Sequence, residues 1–157
     1  MYDFKDGNGP VPAHQHLNGG GWVAETAYVD KTAYVGPDAK VFGNALVVGN
    51  AKVSGNAKVF GDALVVGNAK VSGNALVVGN AKVFGDAWVF GDAWVYGNAK
   101  VAGNAKVSGN AKVFGDAQVY DAWVTDNAKV SGNAMVSGND WVTKSVAMHY
   151  SSSRRHS

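Results

Sequence analysis

The apolar positions along the chain keep a six-residue beat. Valine stands at every sixth position from Val23 to Val119 and again at Val124, Val130, Val136 and Val142, mostly with Ala two positions before it. Strand alternation places Val and this Ala on one side and the residues flanking Val on the other, so Val and Ala line an interior. After each short strand comes Gly-Asn or Gly-Asp, as in Gly43-Asn44 and Gly61-Asp62. Glycine takes positive φ without steric penalty and Asn or Asp tolerates it well, so each pair marks a sharp corner.

A strand-and-corner unit of six residues cannot bury its own apolar side. Such units must wind into coils that stack on one another, and the expected fold class is all-β, a solenoid. The repeat covers 23–142. Residues 1–22 are expected to form an N-terminal cap and 143–157 a C-terminal cap or flexible tail, because an open coil end exposes unpaired strand edges.

An aliphatic residue followed four positions later by a small one, as Val41 by Ala45 and Val47 by Ala51, resembles the hexapeptide-repeat family throughout this region. The resemblance implies a left-handed parallel β-helix with three strands per coil, hence about seven coils and a prism roughly 34 Å long at one strand spacing per coil. The segment Gly20-Gly-Trp-Val-Ala-Glu-Thr-Ala-Tyr-Val29 also resembles the opening of uncharacterised bacterial and phage-encoded β-solenoid proteins, which implies no particular activity.

With three units per coil, the corner residues stack in columns: Asn44, Asp62, Asn80, Asn98, Asp116; Asn50, Asn68, Asp86, Asn104, Asp121; and Asn56, Asn74, Asp92, Asn110, Asn127. No two Asp are vertical neighbours, and Asn amides can bond up and down a ladder, so the carboxylates read as structural rather than as catalytic acids or bases. One corner is short: Val119-Tyr-Asp-Ala-Trp-Val124 has lost its Gly, which reads as a tolerated deletion rather than a functional kink.

The outward residues differ between the three faces. A first face carries Phe42, Phe60, Tyr96 and Phe114 beside Trp94, and a second carries Leu46, Val48, Leu64, Val66 and Tyr120. The third is mostly Lys and Ser, with Trp88 and Trp123 among them. Apolar stripes of this extent predict protein contact, and the residues just named on the first two faces are the candidate interface. Those faces meet at the Asn44 corner, so three parallel prisms around a common axis bury both, whereas a two-fold dimer buries one. A homo-trimer is therefore expected over a dimer.

Composition narrows the chemistry. The 157 residues include no Cys, which removes disulfides, thiolate zinc sites, iron–sulfur clusters and cysteine nucleophiles. A formal net charge of +2 is far from the basic excess of a nucleic-acid-binding domain. Lys52, Lys70 and Lys106 with Trp88 and Trp123 form the best nucleic-acid candidate, but corner Asp residues largely cancel their field. The polar start and the lack of a long apolar run indicate neither signal peptide nor membrane span, so a cytoplasmic or virion-associated protein is expected.

Hexapeptide acyltransferases, which this chain resembles in fold, use a histidine at a coil edge and loops thrown out from corners. Here His14, His16, His149 and His156 all lie outside the coils, and the corners between Val41 and Val119 carry no insertion. Zinc carbonic anhydrases of similar fold use three histidines. His14 and His16 on one side of an extended segment, with His149, make only a weak counterpart, so neither catalytic residues, metal nor cofactor are expected. The leading expectation is a non-catalytic structural or interaction β-solenoid that self-associates through its apolar outer faces. The alternatives are a diverged hexapeptide acyltransferase-like protein and a carbohydrate- or nucleic-acid-binding scaffold, with an unidentified protein or carbohydrate as partner.

Overall fold

The computed structural model describes residues 1–146 and the strand Ser151–Ser152. Within the repeat, each Val and the residue before it form a strand, usually of two residues, and these strands assemble into three parallel sheets with no helix among the described residues. Pairing runs from each coil to the next in steps of 18 residues, as Val59 with Val41 and Val77, so three six-residue units make one coil. There are about seven such coils.

The core is a stack of identical layers. Val41, Val59, Val77 and Val95 form one inward column, Val47, Val65, Val83 and Val101 another, and Val53, Val71, Val89 and Val107 the third, all fully buried in one continuous cluster with the alanines. Small Ala at the inward position after each corner lets the chain turn close to the axis, while Val fills the middle of each side. β-branched Val also suits the extended backbone, so local preference and burial agree.

Corner glycines are needed for two reasons. Gly55 has φ +62, and a Cβ there would lie 2.9 Å from both the amide nitrogen and the carbonyl oxygen of Gly73 in the next coil. Gly55→Ala should therefore cost about 1–2 kcal/mol from the left-handed backbone alone, with the clash in addition. A lower urea midpoint at unchanged m-value checks this.

The short corner after Val119 keeps its backbone bonded by another route. At ordinary corners an Asn or Asp amide donates to the Gly carbonyl of the next coil, as Asn98 to Gly115 at 2.8 Å. Asn104 instead donates to the Asp121 carboxylate Oδ1 at 2.9 Å, with Asp121 itself at φ +55. Pairings that span this corner step by 17 residues, as Val107 with Val124, the step returns to 18 at Val124 with Val142, and the valine columns continue unbroken.

The N-terminal segment closes the first coil and one outer face. Strands β1 (Tyr2–Asp3) and β2 (Pro10–Val11) form an antiparallel hairpin, and β3 (Ala13–Gln15) pairs antiparallel with β4 (Trp22–Ala24). Between β3 and β4 the chain crosses toward the third sheet, where Gly21 donates to Val35 O at 2.9 Å and Val35 to Asn18 O at 3.0 Å. In the first coil Thr26 and Thr32 replace corner Asn, and their hydroxyls donate to Gly43 O and Gly49 O.

The hairpin brings a correction. Phe4 stacks on Phe42 with centroids 4.6 Å apart, Phe42 on Phe60 at 4.6 Å, and Tyr2 on Trp22 at 4.5 Å. Phe42, expected to face another chain, is only 3% exposed because its own N-terminus covers it. Its outward direction followed from the repeat; the hairpin, which has no repeat, supplies the cover.

At the other end Val146 bridges to Val130. Of the expected 143–157 cap, residues 147–150 and 153–157, including Arg154 and Arg155, lie outside the described residues, and Ser151–Ser152 pairs with Met135–Val136.

Candidate functional site

The other candidate interface residues reach the surface. Leu46 and Trp94 are each 41% exposed, while Phe60, Phe114, Tyr96, Val48, Leu64, Val66 and Tyr120 are partly buried by their vertical neighbours. Tyr96 stacks on Phe114 at 4.9 Å, and Lys112 Nζ lies 5.2 Å from the Trp94 ring centroid. The first and second faces thus hold aromatic and aliphatic columns on either side of the Asn44–Asp116 corner.

That corner carries the expected ladder. Asn80 Nδ2 donates to Asn98 Oδ1 at 3.3 Å and Asn98 Nδ2 to Asp116 Oδ1 at 3.2 Å; on another corner Asn56 donates to Asn74 at 3.3 Å and Asn74 to Asp92 at 3.1 Å. Each of these donors points toward the C-terminal coil. An Asp can therefore receive from the coil below but cannot pass a bond onward, which breaks the ladder above it.

The histidines at the cap are committed elsewhere. His14 Nδ1 lies 2.6 Å from Glu25 Oε2 with both side chains about half exposed, and the buried His16 ring has Nε2 2.8 Å from Ala33 O. His149 lies outside the described residues. Among the described residues no three His, Cys, Asp or Glu side chains are grouped to hold a metal. No helix among them is long and apolar enough to cross a membrane.

One charged group is tuned by its neighbours. Asp30 receives the Gly49 N–H at 2.8 Å and the Tyr28 hydroxyl at 2.7 Å, and these bonds, the backbone one foremost, hold its carboxyl below the usual range. The same bond to Asp30, then its charge, raises the Tyr28 phenol. A lowered carboxyl stabilises the fold above its unfolded value, and that contribution is lost as pH falls through the lower folded value; the raised phenol's contribution is lost as pH climbs through its folded value. Asp30→Asn should consequently flatten a small acid-side decline in melting temperature, checked by melts from neutral pH to pH 2.

A groove runs along the third face, the one made mostly of Lys and Ser. One hollow of about 500 Å³ is lined by Asn50, Lys52, Asn68, Lys70, Asp86 and Trp88. A second of about 310 Å³ continues the same columns in later coils, from Asn104 and Lys106 through Asp121 and Trp123 to Asn139, Asp140 and Trp141. Trp88 Nε1 donates to Ser72 Oγ and Trp141 Nε1 to Thr125 Oγ1, each at 3.1 Å, so both indoles are held toward the preceding coil. Asp140 replaces the inward Ala of the repeat, is 5% exposed, and its Oδ2 is buried with no hydrogen-bond partner among the described residues. The sequence signal for it was present in Gly138-Asn139-Asp140, where the Ala rule fails.

A family model described as the YdcK beta solenoid repeat matches residues 128–143. This span is shorter than one coil, and it agrees with the β-solenoid architecture. No curated protein and no solved structure matches the chain.

Proposed function

We propose that this protein is a non-catalytic structural scaffold that self-associates through its first two outer faces, as a trimer. One observation carries the reading: Phe60 on the first face and Leu64 and Val66 on the second flank a single corner at Asp62, so two partly exposed apolar stripes run on either side of one polar corner. Since the chain's own hairpin covers Phe42, the stripe on the first face runs from Phe60 through Val78 to Tyr96 and Phe114. Three prisms that turn this corner toward a common axis bury both stripes.

Assembly brings the Asp62 and Asp116 columns of three chains together, and like charges oppose it. Both carboxylates receive an Asn amide, Asp62 from Asn44 at 3.5 Å and Asp116 from Asn98 at 3.2 Å, which lowers that repulsion. The non-catalytic part rests on the histidines, since the His14 and His16 rings are engaged with Glu25 and Ala33 in the cap. A cytoplasmic or virion-associated location is part of the same proposal.

Sedimentation equilibrium tests the assembly. The unmodified protein should be trimeric, and Leu46→Lys with Leu64→Lys should give folded monomers, because both side chains point out of the core. A monomer at tens of micromolar, roughly the range of 6–7 kcal/mol affinities and weaker, would overturn the proposal.

A further inference from the structure

We infer that the groove along the third face binds a neutral polysaccharide chain. Trp88, Trp123 and Trp141 are 37%, 41% and 56% exposed, so the part of each ring that its neighbours leave open offers an apolar surface to the C–H face of a sugar ring, and the rings are fixed before any ligand arrives. Trp88 is held by its bond to Ser72 and by Lys70, whose Nζ sits 5.6 Å from the ring centroid; Trp141 is held by Thr125 and packs on Trp123 at 5.1 Å. Fixed aromatic platforms give contact area at little entropic cost. Trp88 and Trp123 stand two coils apart, about 10 Å along the axis. An extended glycan can span that distance.

The polar half of the groove is suited to hydroxyl donors. Asp86 lines one hollow and Asp121 the other, and both are exposed acceptors. A sugar hydroxyl can donate to either without bringing charge. Asn104 and Asn139 lie beside Asp121 and add amide donors and acceptors.

Charge decides between a glycan and a nucleic acid, both of which can stack on tryptophan. The two hollows contain Lys52, Lys70 and Lys106 against Asp86, Asp121 and Asp140, so their formal charges cancel. Two of the three lysines already lie over indole rings, Lys106 at 5.3 Å from Trp123. A phosphate backbone would meet carboxylates with no surplus of cations, whereas a neutral glycan meets no repulsion.

Affinity gel electrophoresis of the full chain with a soluble β-glucan, a galactomannan and an arabinoxylan tests the inference, with oligo-dT as a comparator. At least one neutral polysaccharide should retard the protein, equally well in low salt and at about 0.5 M NaCl, where charge interactions are screened. Trp88→Ala with Trp123→Ala should lose at least roughly tenfold in affinity while keeping the wild-type circular dichroism spectrum. Failure of all three polysaccharides, retardation that ignores the tryptophan substitutions, or salt-sensitive binding of oligo-dT alone would each overturn the inference. The groove and the corner at Asp62 lie on different parts of the prism, so the Leu46→Lys, Leu64→Lys variant should still bind glycan.

Discussion

Val71→Asp abolishes folding. Val71 is fully buried between Val53 and Val89 of the neighbouring coils. The substitution forfeits roughly 1.5–3 kcal/mol of apolar burial and places an unpaired carboxyl where no donor faces it, which costs several kcal/mol more. Against a net domain stability of about 5–15 kcal/mol this is a large fraction. Stacked coils touch only their neighbours, so the defect also divides the stack in two. Circular dichroism melting checks the result. Lys82→Asp, on an exposed outward position, should stay within about 0.5 kcal/mol of wild type. A Val71→Asp protein that melted like the parent would refute the inward column.

Deleting residues 1–20 should convert a discrete protein into high-mass aggregates. The segment between β3 and β4 bonds to Val35, and the hairpin covers Phe42 with Phe4. Without them the first coil presents unpaired strand edges on the first and third sheets, together with the Val23 and Val35 side chains. A flat parallel edge of this kind templates further strands. Light scattering during size-exclusion chromatography separates the outcomes: the truncated chain should elute in the void, and a truncated chain with the parent's mass would show that the cap does not guard the edge.

The repeat made much of this legible. Each Val registers its neighbours, so the inward columns, the corners, the composition of the faces and the Asn links on two of the three corner columns follow from counting in sixes. What the count could not reach lies where the repeat stops or fails. The hairpin over Phe42 comes from Tyr2 and Phe4, whose partners are separated from them by a non-repeating segment. The period places Trp88 and Trp123 with Lys52, Lys70 and Lys106 on one face but does not shape a groove between them. The orientation of the indoles depends on bonds to Ser72 and, through Trp141, to Thr125, which no period encodes. Asp121 was readable as a shortened corner, but its carboxylate replacing a backbone carbonyl was not.

The shortened corner also bears on how the chain finds its own phase. Units of nearly identical sequence would pack almost as well if the chain slipped by six residues or by a whole coil, since Val would again meet Val. Such slipped coils are near-degenerate traps of the sort that slow the folding of repetitive chains. Asp121 can offer its carboxylate to Asn104 in one alignment only, and the hairpin can seat Phe4 on Phe42 only at the first coil. These two irregular places act as phase marks. The hairpin mark is synthesised before the Asp121 mark, so an alignment set at Phe42 is checked again where Asn104 meets Asp121.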